Sequence, residues 1–71
     1  MVNIEALKEA INDSGMTMVA IANKTGILRE TLYNRLDGRG EFKVSEIVSL
    51  SEVLHLDNHT RDYIFFNNKV E

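Results

Sequence analysis

Gly15, Gly26 and the Gly38/Gly40 pair cut this 71-residue chain into short blocks, and inside each block the apolar residues recur at helical spacing. Proline is absent, and no stretch alternates apolar and polar residues long enough to make a strand. These features predict one all-α domain over residues 1–71, a compact set of five short helices joined by tight connections. Ile4, Leu7 and Ile11 follow an i, i+3, i+7 pattern, with Asn3 as N-cap and Gly15 as the stop, so the first helix is expected at about Ile4 to Ser14. Thr17 caps a second, at about Met18 to Lys24, whose apolar set is Val19, Ile21 and Ala22. A third runs from about Leu28 to Leu36 with Leu32 and Leu36 inward, and Asp37–Gly40 forms a turn. Glu41–Val44 reads as an extended loop whose Phe42 plugs the core. Ser45 caps a fourth helix with Ile47, Val48, Leu50, Val53 and Leu54 as its apolar positions. After a connection at Leu56–His59, a fifth helix is expected from about Thr60 to Asn67.

A chain this short sits near the lower limit for folding alone. It contains no Cys, so neither disulfides nor thiolate metal sites can add stability. The 44 % hydrophobic content suits a packed core and is too high for a disordered chain. No apolar run approaches the length of a membrane span, and Met1–Glu5 lacks the basic start and apolar block of a secretion signal, so the expected location is the cytoplasm.

The formal net charge is −3, which does not favour a polyanionic partner. Its distribution is uneven. Lys24, Arg29, Arg35, Arg39 and Lys43 stand against Glu30, Asp37 and Glu41, five cations to three acids, a balance of +2. Lys8, Arg61 and Lys69 stand against the other eight acids, a balance of −5. A basic segment on an acidic body is one reading of this pattern, and ordinary scatter is the other.

Thr17 to Leu36 is the most informative stretch. Two short helices that cross steeply within a few residues need one residue at positive φ, which Gly26 adopts at little cost. Ala22 lets the helices approach, and Ile21, Ile27 and Leu32 are placed to form the small core between them. An apolar–Ala pair at 21–22, Gly26, and apolar residues at 27 and 32 match the spacing of a DNA-binding helix-turn-helix, although an ordinary αα-hairpin carries some of the same signals.

Extended further, Gly26-Ile27-Leu28-Arg29-Glu30-Thr31-Leu32, then Arg35-Leu36-Asp37-Gly38-Arg39, Phe42 and Ser45-Glu46-Ile47 resemble the small Cro- and repressor-type proteins of temperate phages, especially those of Gram-positive hosts. Arg61-Asp62-Tyr63-Ile64-Phe65-Phe66 is similar to their closing segment, so the likeness runs from about Ile4 to Phe66. It implies a lambda-repressor-like fold of five helices, with the second and third forming the helix-turn-helix. It also implies transcription regulation in a lysogeny switch, with a double-stranded DNA operator as partner. In that family the positions matching Leu28, Arg29, Glu30, Tyr33 and Asn34 approach base edges in the major groove. The residue types suit this. Arg29 can grip guanine O6 and N7, Asn34 can pair with adenine N6 and N7, and Glu30 can accept from cytosine N4. Phosphate contacts are expected from Thr17 and the backbone near Met18, at a helix N-terminus, and from Arg35, Arg39 and Lys43.

Two residues depart from the family pattern. Many relatives carry a capping residue such as Ser where this chain has Leu28, and Gln, whose amide binds phosphate, where it has Met18. Met18, Leu28 and Tyr33 make the face unusually apolar. That opens a second reading, a modulator that docks this face on a partner protein such as a phage repressor.

Tyr63-Ile64-Phe65-Phe66 spans about 300° of helical arc, more than one core can cover. Ile64 and one Phe are expected inside. The remaining aromatics among Tyr63, Phe65 and Phe66 would then form a homodimer or partner interface, unless the whole helix lies in a groove between the first and fourth helices. His55 and His59 are four apart, but Leu56-Asp57-Asn58 should break the helix between them, so no metal site is expected. Glu5, Lys8, Glu9, Glu46 and Glu52 read as solvated helix faces. No Ser–His–acid set sits on a plausible scaffold, so neither catalysis, a cofactor nor a small-molecule substrate is expected.

Overall fold

The computed structural model describes residues 2–66. Its elements are α1 (Ile4–Ser14), α2 (Met18–Thr25), α3 (Arg29–Leu36), α4 (Val44–Val53) and α5 (Asn58–Arg61), the last continuing as one wider π-helical turn over Asp62–Phe66. The all-α architecture with five helices is as the periodicity predicts, and among the described residues no strand is present. None of these helices is long and apolar enough to cross a membrane.

The first two helices start where side-chain oxygens can take orphan amide protons. Asn3 Oδ1 accepts from the Ala6 N–H at 3.1 Å, and Thr17 Oγ1 accepts from the Ala20 N–H at 3.1 Å. Both helices end on a left-handed glycine, Gly15 and Gly26. α4 begins one residue earlier than expected, at Val44, so Ser45 is not its cap. The cap position belongs to Lys43, whose side chain has no acceptor. The helix start is tied instead by Glu46, whose Oε1 accepts from the Lys43 backbone N–H at 3.0 Å. α5 also begins earlier, at Asn58, because Asp57 Oδ1 accepts from the Thr60 N–H at 2.7 Å. The expected end of this helix at Asn67 lies outside the described residues.

Leu7, Ile21, Leu32, Ile47, Leu50, Leu54, Ile64 and Phe65 form the core, one or more from every helix except short α5. α2 lies against both α3 and α4. Phe42 does plug the core from its loop, meeting the Phe65 ring edge-on with centroids 5.4 Å apart. At the C-terminal end the π-helical turn reduces the rotation per residue, which brings the adjacent Ile64 and Phe65 onto one buried face. The Ile64 carbonyl accepts from the Asn3 N–H at 2.6 Å, pinning this turn to the start of α1. Phe65 is only 3 % exposed, which removes it from the expected interface set. Tyr63 and Phe66, to either side, are exposed. Val19 and Val48 are exposed too, so two of the apolar positions assigned to helices two and four do not join the core.

Two stability predictions follow from this packing. The Ser51 hydroxyl is buried without a hydrogen-bond partner among the described residues. Removing such a group relieves a desolvation cost, so Ser51→Ala should raise the unfolding free energy by about 0.5–1 kcal/mol in urea titration. Asp57 is held below the ordinary carboxylate range, first by the Thr60 backbone N–H, then by the Thr60 hydroxyl and the nearby His59. A depressed pKa stabilises the fold fully above the ordinary carboxylate range, and that contribution fades as pH falls through the folded-state value. Asp57→Ala should therefore lower Tm at neutral pH, and the gap from wild type should shrink in acid.

Candidate functional site

Gly26 makes the corner between α2 and α3 at φ +78°, a conformation most side chains disfavour. Thr25 fastens it. Its hydroxyl donates to the Ile21 carbonyl at 2.8 Å and accepts from the Ile27 N–H at 3.2 Å. Beneath the corner Ile21 and Leu32 are fully buried, with Ala22 and Ile27 packed against them. Leu32 therefore fixes how α3 is rotated, with Leu36 one turn on, also packed against the core.

The outward side of α3 follows from that rotation. Arg29, Glu30 and Tyr33 are exposed, and Asn34 is half-buried. Arg29 with Tyr33, and Glu30 with Asn34, are i, i+4 neighbours on this side. Leu28, at the cap position, is 74 % exposed and makes no side-chain cap bond. All five residues expected to read bases thus lie on or beside one surface of α3.

The residues expected on phosphate divide. Thr17 is exposed at the start of α2, and its hydroxyl oxygen accepts from the Ala20 N–H, which leaves the O–H proton to donate to a phosphate. The Met18 side chain packs against the core, which leaves its backbone rather than its side chain for contact. Lys43 is exposed, and so is Lys24 at the end of α2. Arg39 pairs with Asp37 at 3.0 Å, but the two side chains are 72 % and 58 % exposed, so the pair is open to solvent. Arg35 is the correction. Its guanidinium meets Glu46 through two nitrogens, Nε to Oε1 at 3.3 Å and Nη2 to Oε2 at 3.4 Å. The side chains are only 15 % and 12 % exposed, so Arg35 is an internal group and Glu46 is no solvated face.

Sequence reasoning missed Val19, which is exposed beside Leu28 along a shallow cleft lined by Ala22, Asn23, Gly26, Ile27 and Arg29. Its position gave a signal, since it lies two residues from buried Ile21 and so turns about 200° away from it. His55 and His59 are both exposed, and among the described residues no cluster of potential metal ligands occurs.

With the corner, the exposed face of α3 and the core that holds it, the structure defines a small all-α domain of helix-turn-helix-like form. Comparison of the chain with protein-family models, with curated proteins and with solved structures finds no match.

The uncapped start of α3 makes a direct prediction. Leu28 is exposed, so its side chain gives up little burial, and its extended backbone suits a capping residue. Leu28→Ser should stabilise the protein by about 1 kcal/mol in chemical denaturation.

Proposed function

We propose that this protein is a transcription regulator of the phage Cro/repressor type, acting in the cytoplasm by placing α3 in the major groove of an operator. The observation that carries the reading is the placement of Arg29, Glu30, Tyr33 and Asn34 on the outward side of α3, the helix that follows the Gly26 corner. Arg29 and Asn34 supply two-bond readout of guanine and adenine, and Glu30 accepts from cytosine. Lys24, Arg39 and Lys43 supply the phosphate contacts. Exposed Tyr63 and Phe66 suit a homodimer, which would set two copies of α3 about one helical turn, or 34 Å, apart. On this reading the protein is a binding module without catalysis or cofactor.

One observation favours a second reading. Leu28 and Val19 are exposed apolar residues along one cleft, and Tyr33 is exposed further along α3. Such residues can anchor a protein, and the same face would then dock on another regulator, such as a phage repressor, and block or strengthen its DNA binding. Met18, which the sequence groups with these anchors, is partly taken up by the core, and Val19 stands in its place.

Titration with duplex DNA across a salt series separates the readings. With Lys24, Arg29, Arg39 and Lys43 as the available cations, the log–log salt slope should be about −3 to −4 per protomer. Arg29→Ala should cost about 1–3 kcal/mol on the preferred sequence and relax discrimination at one base pair. No binding at low salt, with a stable complex on mixing with a phage repressor, would favour the protein-docking reading instead.

A further inference from the structure

We infer that Glu46 is a specificity-determining residue, because it withholds Arg35 from DNA and keeps the recognition helix in register with α4. The inference rests on the DNA-binding reading above. Two arginines flank the α3–α4 turn, and both are paired, but the pairs differ in kind. Arg39 and Asp37 meet in open solvent, where such a pair is worth little and yields readily to a phosphate. Arg35 and Glu46 meet through two parallel contacts, both side chains being mostly covered. Opening that pair strands a partly desolvated carboxylate, so a phosphate does not easily compete for Arg35.

Glu46 is also a junction. Its Oε1 takes the Arg35 Nε–H from the last turn of α3 and the Lys43 N–H at the start of α4. Among the described residues this is the one ion pair joining α3 to α4. The turn closes over it. Gly40 stands at φ +75°, and a Cβ there would run into the Arg35 guanidinium. One carboxylate therefore fixes the end of the recognition helix and the segment that carries Arg39 and Lys43.

Loss of the Glu46 charge has two consequences that point in opposite directions. The freed guanidinium becomes one more mobile cation beside the face. A cation without a fixed position binds any phosphate and adds affinity that carries no sequence information. The tie between α3 and α4 also loosens, and the base-reading side chains lose their fixed register. Affinity for arbitrary DNA should rise while discrimination falls. A residue that merely stabilised the fold would weaken both.

The test uses a random-sequence duplex and the tightest duplex that the wild-type protein selects from a randomised pool. Glu46→Gln should bind the random duplex several-fold more tightly at low salt, with a log–log salt slope steeper by about one unit, and the ratio of selected to random affinity should fall. Glu52→Gln, at an exposed position on α4, makes the same change in net charge and should leave slope and ratio as in wild type. Equal behaviour of these two variants overturns the inference and leaves the DNA-binding reading intact. No binding of either duplex by wild type overturns the reading itself, and the inference with it. Should Glu46→Gln not fold, the apolar double variant Arg35→Met/Glu46→Leu decides. A salt slope equal to wild type supports the inference, because Arg35 then contributes no phosphate contact. A slope flatter by about one unit makes Arg35 a phosphate ligand and overturns it.

Discussion

Leu32, buried against Ile21 under the Gly26 corner, sets the direction of everything on the face above it. α3 is eight residues long and has no side-chain cap at its start. A helix that short does not persist alone in water, so its existence depends on the packing of its inner side. The packing also fixes its rotation. A slip of one residue turns a helix by about 100°, which would bury Tyr33 and move Leu32 into solvent. Glycine at the corner allows the reversal, and the Thr25 hydroxyl, bonded to both Ile21 and Ile27, holds it. Ala22 and Ile27 fill what remains between the helices.

Charge on this face is thinner than the sequence suggests. With Arg35 committed to Glu46, the stretch from Lys24 to Lys43 keeps Lys24, Arg29, Arg39 and Lys43 against Glu30, Asp37 and Glu41, a balance of +1. The molecule as a whole carries −3. Attraction to a polyanion is therefore local and short in range, and it fades at ordinary ionic strength beyond about 8–10 Å. Alongside these cations lie exposed Val19 and Leu28 on one cleft and exposed Tyr33 on α3. The combination explains why one surface supports two kinds of partner in the reading above. Base edges and thymine methyls suit it, and so does a protein groove with acidic rims.

Much of the fold was legible because its signals are local. Asn3, Thr17, Gly15 and Gly26 mark the ends of α1 and α2 where helix chemistry needs them, and the structure uses all four. The inward positions of α3 follow from periodicity alone. The misreadings of Arg35 and Phe65 involve partners distant in sequence. Arg35 looks like a free cation until the fold brings Glu46, eleven residues later, against it. Ser45 looks like a cap, yet Glu46 ties the start of α4 from inside the helix. Phe65 and Phe66 cannot be told apart by composition. The π-helical turn, with the Ile64 carbonyl bonded to Asn3, puts Phe65 inside and leaves Phe66 in solvent. Asp57 reads as part of a connection because a four-residue helix leaves little apolar pattern to read.

The proposed DNA-binding face is tested most directly by residue-by-residue mapping. In backbone amide NMR spectra recorded as duplex DNA is added at low salt, the shifts should concentrate on Thr17–Val19, Leu28–Asn34 and Arg39–Lys43. Tyr63 and Phe66 should move little on the monomer. Shifts confined to α1 and the C-terminal turn, or none on the outward side of α3 while DNA is bound, would contradict the assignment of this face.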